Sequence, residues 1–586
     1  MKAIAWGCVA AVALAAGSAV AADFPIKAPI YAKPPMVWNW AGFYLGVHAG
    51  GGLGLTEFTD PFGGSIYGDK VRTPAALGGG QVGYNWQSWT LPLVLGLEAD
   101  VSALDAVGDN TCFAYSGFYV SANCRVRQNA TTTLAARLGY AFGPDGHTLF
   151  YLKGGLAGVH TKIDIAANNI LPPQETSQNA WRWGGMVGGG IEQALTPAWS
   201  LKLEYDYLTF GGRSLATPAS LTQAEVDAVV LPSAGSTTTA RQQMHLFKLG
   251  LNYRIGADPW SGWPLTPAPY AVKEPRKAIP VSTAATGWEV EVGARYWYSW
   301  GRTQVDLSKS TDPAIANVLV SRLTYESTAN SGELYGRIET PWSIFVKGFV
   351  GAGRLAGGHM NDEDWNIEEK NREGEVTRYA YSNTISNPVK GKISYATIDA
   401  GYDISRNAQY KLGGFIGYNY YKDNKDAYGG LQLANPTGPF GARPVSSSQI
   451  IISEDDLWQS LRLGLNGDII LVPGLKLAAD VAYLPYVSYK ALDTHYLRSD
   501  EPSIFSPGRG TGRGVQLETI LSYDITSAFN IGVGGRYWAM WTDDSANTNG
   551  FNTPCPCQTT PSKTERYGVF FQAAYKFGTP TVVAKY

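Results

Sequence analysis

From Phe529 onward, Phe529, Ile531, Val533, Tyr537 and Trp541 fall on one parity of the chain, while Asn530, Gly532, Gly534 and Arg536 fall on the other. Successive side chains of a strand point to opposite faces, so this stretch predicts a strand with one greasy face ending in aromatics and one small or charged face. The same alternation recurs along the whole chain. In the first half it predicts eight strands, near 40 to 53, 75 to 89, 93 to 105, 127 to 141, 148 to 162, 181 to 194, 198 to 211 and 243 to 255. In the second half it predicts ten, near 288 to 303, 318 to 338, 343 to 356, 391 to 404, 409 to 421, 456 to 467, 475 to 490, 513 to 523, 528 to 541 and 566 to 577. Short connections such as Thr90-Leu91-Pro92, Thr196-Pro197, Thr340-Pro341-Trp342, Val472-Pro473-Gly474 and Ile525-Thr526-Ser527 alternate with long ones such as 106 to 126 and 212 to 242. A soluble sandwich shares the alternation of faces. Aromatic strand ends and a strict short–long rhythm belong to membrane barrels, with short periplasmic turns and long outer loops. The expected fold class is therefore all-β, two transmembrane antiparallel β-barrels in tandem, eight-stranded and then ten-stranded.

The expected organisation is a signal peptide over 1–21, the eight-stranded barrel over 36–255, a linker over 256–286, the ten-stranded barrel over 287–577 and a tail over 578–586. The signal is read from Met1-Lys2, the apolar run Ala3 to Ala16 and an A-x-A cleavage site ending at Ala21. Pro259, Pro264, Pro267, Pro269, Pro275 and Pro280 make 256–286 a semi-rigid spacer. An even number of strands returns the chain to its starting side, so the spacer is expected in the periplasm. Downstream of the signal no run of about 18 apolar residues offers a membrane helix.

Composition adds little to this picture except exclusions. A net charge of −2 and a pI near 6.3 give no electrostatic case for nucleic acid. Cys8 is expected to leave with the signal, and four cysteines then remain: Cys112, Cys124, Cys555 and Cys557. In an exported chain Cys112 and Cys124 are a disulfide candidate closing one outer loop. Cys555-Pro556-Cys557 has no nearby His and is a poor metal site.

Two short runs carry candidate chemistry. One is Gly357-Gly358-His359-Met360-Asn361-Asp362-Glu363-Asp364-Trp365; the other is Asp493-Thr494-His495-Tyr496. Residues two apart in an extended chain share a face, so Asp362 can join Asp364 and Asp493 can join His495 in one cleft. Three carboxylates and an imidazole would supply a base able to deprotonate water and charges to hold it. A lone Asp-x-Asp is most often a solvated loop. The strand count, however, puts both runs in loops on the same outer rim, after strands three and seven of the second barrel. Strict alternation from Leu475 puts Asp493 and His495 in phase with lipid-facing Leu477 and Val481, so a bulge or a loop bend has to re-aim them, with Pro485 one place where the ladder can break.

Around Trp40-Ala41-Gly42-Phe43-Tyr44-Leu45-Gly46, Trp199 to Tyr207 and Phe247 to Arg254, the first half resembles the small eight-stranded outer-membrane barrel (surface immunogen) family. That resemblance implies a fold and no chemistry. Over about 287–577 the second half resembles the omptins, ten-stranded outer-membrane endopeptidases, at Asp362-Glu363-Asp364-Trp365 and Asp493-Thr494-His495-Tyr496. The resemblance implies a water held between Asp362 and His495, with Asp493 orienting His495 and Asp364 supporting Asp362. It does not extend to the acidic residues by which omptins select basic side chains: those places read Ala491 and Gly301-Arg302-Thr303-Gln304 here.

The expected function is thus a surface endopeptidase of the outer membrane needing no cofactor and no metal. Its expected partners are outer-membrane lipid, with lipopolysaccharide a candidate, and an extracellular polypeptide substrate. The competing readings are a non-catalytic barrel (porin, adhesin or structural surface protein) and an Asp-rich cation site, which a chelator would reveal.

Overall fold

The computed structural model describes residues 38–257 and 287–578, apart from 63–69, 89–90, 114–120, 144–145, 168–173, 222–231, 309–317, 371–375, 408, 435–443, 498–504 and 548–557. The signal-peptide, spacer and tail expectations, and Cys555 and Cys557, lie outside the described residues.

The first sheet contains β1 (Gly42–Phe58), β2 (Lys70–Gln87), β3 (Leu93–Cys112), β4 (Ala122–Phe142), β5 (Thr148–Ala167), β6 (Gln174–Ala194), β7 (Trp199–Ala216) and β10 (Thr237–Arg254), with the two-residue β8 (Ser220–Leu221) and β9 (Pro232–Ser233) paired apart from it. Each strand pairs antiparallel with its neighbour, and β1 pairs with β10 to close the barrel. The second sheet contains β11 (Glu289–Ser308), β12 (Leu319–Glu339), β13 (Ile344–Lys370), β14 (Val376–Ser386), β15 (Val389–Arg406), β16 (Tyr410–Ala434), β17 (Val445–Val472), β18 (Leu475–His495), β19 (Phe505–Asp524), β20 (Phe529–Asn547) and β21 (Ser562–Gly578). Ten strands close this wall, because β11 pairs with both β12 and β21. The eleventh strand, β14, continues the line of β15, for both lie between β13 and β16. The expected fold of eight strands followed by ten is the observed one. The strands are longer than the alternation alone marks, since they continue as polar ladders above the membrane.

The two faces explain why this sequence closes into barrels. Leu95, Leu97, Leu134, Leu138, Leu152 and Leu156 of the first barrel point outward and are exposed, which suits hydrocarbon and not water. Inside the same barrel, Lys153 pairs with Glu204 at 2.7 Å and Glu98 at 3.2 Å, Arg137 with Glu192 at 2.7 Å, and Lys248 with Asp206 at 2.8 Å. A charge removed from water is tolerable only when paired and hydrogen-bonded, and this network fills the lumen with such pairs. The second barrel is stoppered in layers. Arg536 is clamped by Glu333 at 2.7 Å and Glu518 at 2.6 Å; above it Phe349 stacks on Trp538, and Trp297, Tyr395 and Trp538 pack edge to face against one another. The upper half of the lumen is therefore a cup with a floor.

The barrels touch. Outward-facing Leu201 and Leu249 are buried in one apolar cluster with Ile469, Val481, Val515 and Leu517 of the second barrel. Gly51 lets the walls meet, since a Cβ there would lie 2.6 Å from Val515 Cγ2. In lipid such contacts stabilise by close packing and not by expulsion of water.

Candidate active site

Asp362 and Asp364 lie within β13, and Asp493 and His495 at the end of β18, so both runs are strand and not loop as the strand count suggested. The ladders carry them: Asp362 opposes Leu323 and Thr384, Asp493 opposes Glu454 and Ser506, and His495 opposes Ile452 on one side.

Both strands change phase before they reach the rim. On β13, Leu355 opposes Ala329 and Gly357 opposes Thr328, leaving Ala356 as an extra residue. Below this bulge the inward parity is odd, as at Leu355, and outward Val346 and Val350 are exposed; above it the inward parity is even, and Met360 joins the core. Asp362 and Asp364 follow Met360 inward. Gly358 makes the turn, with a φ of 137° and no room for a Cβ, which would lie 1.9 Å from the Glu326 carbonyl oxygen. On β18, Leu484 opposes Gly514 and Val487 opposes Gly512, so the stretch through Pro485 also holds one extra residue. Ala482 and Leu484 are the buried inward residues below it, Val487 and Tyr489 above it. The bulge expected at Pro485 is present; the one at Ala356 was not anticipated.

The result is a polar cup above the aromatic floor. His495 Nε2 and Asp493 Oδ2 are 2.9 Å apart, and both side chains are only slightly exposed. Tyr325 of β12 links the two runs. Burial first, then the carboxylates of Glu454, Asp493, Asp362 and Asp456, push its phenol well above its usual range. One buried hydroxyl thus lies in the fields of carboxylates from β13, β17 and β18.

Sequence reasoning missed the contribution of β17. Glu454 and Asp456 are fully buried and stand opposite Asp493 and Ala491. Asp456 is neutralised by Lys425 at 2.7 Å and accepts a hydrogen bond from the Tyr489 hydroxyl at 2.8 Å. Glu454 is driven the other way. Burial, then Asp456 and Asp493, raise its carboxyl well above the ordinary carboxylate range, so it carries a proton beside Asp493. A signal existed: counting outward from the Val472–Leu475 pair at the turn reaches Glu454 opposite Asp493. Among the described residues no group of three or more His, Cys, Asp or Glu has a metal-binding arrangement, so the cation reading has no ligand set there.

Outside this cup, Cys112 and Cys124, expected as a pair, are joined as a disulfide between the ends of β3 and β4. His359, two residues before Asn361, lies 3.7 Å from Glu326 on the other parity from Asp362.

Lipid-facing walls, stoppered lumens and a polar cup at one rim define an outer-membrane β-barrel protein. Residues 8–254 match the model of the outer membrane protein beta-barrel domain, and residues 327–557 match that of the omptin family. The 31 kDa outer-membrane immunogenic protein of Brucella melitensis is 31% identical over 253 residues, which are 42% of this chain and 96% of that protein. The 25 kDa outer-membrane immunogenic protein of the same organism is 26% identical over 241 residues, 41% of this chain and 90% of that one. Among solved structures, the outer membrane protease OmpT of Escherichia coli aligns at 15% identity and a TM-score of 0.37, over 50% of this chain and 97% of that one. The chain belongs to the outer-membrane β-barrel family of the immunogenic proteins and carries an omptin-family domain in its second half. That domain supports an outer-membrane protease.

Proposed function

We propose that the second barrel is a surface endopeptidase that hydrolyses extracellular polypeptides with a water activated by the Asp493–His495 pair opposite Asp362 and Asp364. The observation that carries this reading is the 2.9 Å contact between His495 Nε2 and Asp493 Oδ2, in a cup that also holds Asp362. With Nε2 donating to Asp493, Nδ1 is the acceptor that takes the proton of the attacking water. Asp493 holds that tautomer and stabilises the imidazolium as it forms. Asp362 holds the water from the other side, and Asp364 supports Asp362 from the same face. The hydroxide adds to the peptide carbonyl carbon, and the imidazolium returns its proton to the leaving amine as the C–N bond breaks. Protonated His495 cannot accept a proton, so acidification ends cleavage.

Ala491, the position where the omptin resemblance looks for an acidic residue, offers none. Ala491 faces Asp456, and Asp456 is already neutralised by Lys425. Selection of basic residues therefore has no unpaired carboxylate to rest on at that pair of positions.

The test is cleavage of a peptide mixture by the full chain in lipid-containing micelles. His495→Ala is expected to lower the rate by about 100- to 10,000-fold, the usual worth of a general base. The folded barrel should persist and chelators should leave the rate unchanged. Equal cleavage by wild type and His495→Ala, or none by either, overturns the reading and leaves a non-catalytic surface barrel.

A further inference from the structure

Alternate residues of β13 point to opposite faces, so Asp362 and Asp364 face the cup while Glu363 and Trp365 face outward. An outward carboxylate and indole above the membrane would ordinarily meet water. Here both are buried, at 3% and 2% exposure. Part of the cover is the second barrel's own: Tyr381 of β14 donates to Glu363 Oε1 at 2.7 Å and packs, with Leu319, on Trp365. The rest is the first barrel. Its β3–β4 hairpin, tied by Cys112–Cys124, leans on the outer wall of the second barrel.

The contact is built from directional bonds. Thr111 Oγ1 donates to Glu363 Oε2, and Arg322 Nη1 donates to Thr111 Oγ1 at 3.2 Å. Arg322 Nη2 reaches Asn123 Oδ1 at 2.9 Å, on the other arm of the hairpin. Asp306 holds the same guanidinium at 2.7 Å, so Arg322 ties the hairpin to β11 and β12 together. Trp365 Nε1 donates to the Ser121 carbonyl at 3.1 Å, just before Ala122. Both cysteines are completely buried among Phe58, Phe113 and Val126. The described ends of β3 and β4 are thus tied by the disulfide and packed into a core shared with β1, β2, β5, β7 and β10. The hairpin's grip falls on the two residues that flank Asp364, one of which also separates Asp364 from Asp362.

We propose that the first barrel is a built-in positioning element for the second, its disulfide-tied hairpin holding Glu363 and Trp365 from behind so that Asp362 and Asp364 stay fixed in the cup. This rests on the peptidase reading above and assigns Thr111, Asn123 and Ser121 a role in the reaction without contact to substrate. It also gives a physical reason for two barrels in one chain. The upper part of β13 stands above the membrane and would be steadied by its neighbouring strands alone without the hairpin.

The full chain in lipid-containing micelles tests this with Thr111→Val, Thr111→Ser, Cys112→Ala with Cys124→Ala, and His495→Ala as the zero. Displacing a reacting group by 1 Å costs about 100-fold, so a fraction of that displacement in Thr111→Val and in the double cysteine variant should lower kcat about tenfold. KM should stay within about twofold, since the cup surface is intact, and Thr111→Ser, which keeps the hydroxyl, should return to the wild-type rate. Hydrogen exchange over residues 358–366 should speed up in the two slow variants and not in Thr111→Ser. Wild-type kcat in Thr111→Val and in the double cysteine variant, beside an inactive His495→Ala, overturns the positioning role alone. Faster exchange with unchanged kcat overturns it too. No cleavage by wild type removes the peptidase reading and this proposal with it.

Discussion

Gly358→Ala is the most direct probe of how the fold aims the candidate site. At this residue φ is 137°, a region an alanine enters only with strain, and its Cβ would sit 1.9 Å from Glu326 O and 2.8 Å from both Glu326 C and Ser327 Cα. Ordinary contact begins at 3.4 Å, so the backbones of β12 and β13 must separate by about the difference, 3.4 − 1.9 = 1.5 Å, or rotate by an equivalent amount. All three of these atoms are backbone, which cannot swing aside as a side chain would. The displacement enters β13 four residues before Asp362 and reaches it along a stiff ladder. A shift of 1 Å at a reacting group costs about 100-fold, so kcat/KM should fall by roughly that factor or more. Strain of about 1–3 kcal/mol should appear as a loss of unfolding free energy. The neighbouring Gly357 supplies the control, for a Cβ there meets only Thr328 Oγ1 at 3.9 Å, and Gly357→Ala should keep activity within about twofold. The assay is cleavage of an internally quenched peptide by the full chain, with folding followed by heat-modifiable gel mobility. Wild-type kcat/KM in Gly358→Ala would refute the argument that this bulge sets the aim of the Asp pair.

Two predictions concern buried charge and one concerns the base. Glu454 keeps its proton in the folded barrel at pH values where the unfolded chain has lost it. The native state therefore binds more protons, and stability falls as pH rises above the ordinary Glu range near 4.3, by at most about 1.4 kcal/mol per pH unit, up to the folded value. Glu454→Gln should remove that slope in urea unfolding at about pH 5 and about pH 7; an unchanged slope assigns it to another group. Lys153→Met leaves buried Glu98 and Glu204 with Lys202 as their remaining shared cation, so it should cost about 3 kcal/mol of unfolding free energy, the low end of the range for breaking a buried pair. Lys70→Met, at an exposed pair with Glu57, should cost less than about 1 kcal/mol. His495→Ala should slow cleavage of the quenched peptide by about 100- to 10,000-fold without loss of the heat-modifiable barrel.

The alternation of faces made both barrels legible because it is a local signal, repeated in every strand and punctuated by short turns. Phe529 to Trp541 reads the same way in the sequence and in β20. The site was legible only as residue types. An extra residue inverts every side chain beyond it, and strict parity places Asp362 on the side of Val346 and Val350, which face lipid. Pro485 advertised its bulge, since a proline removes a ladder hydrogen bond. Ala356 did not, and its only trace is the Gly357-Gly358 pair that follows, where Gly358 supplies the left-handed turn. Glu454 is harder still. It sits in the run Ser453-Glu454-Asp455-Asp456, whose acidity reads as a solvated loop, and its burial depends on its facing Asp493 across a strand pair. Thr111 and Glu363 are 252 residues apart in the chain, and no periodicity connects them. What sequence patterns encode here is each strand's own two faces. Which chemistry those faces assemble is decided where the pattern is broken, at Ala356 and Pro485, and where one barrel meets the other. A search for function in chains of this kind should therefore begin at breaks in the alternation that lie just before polar pairs. Those are the places where an outward-facing phase is turned inward, as Ala356 does for Asp362 and Pro485 for Asp493.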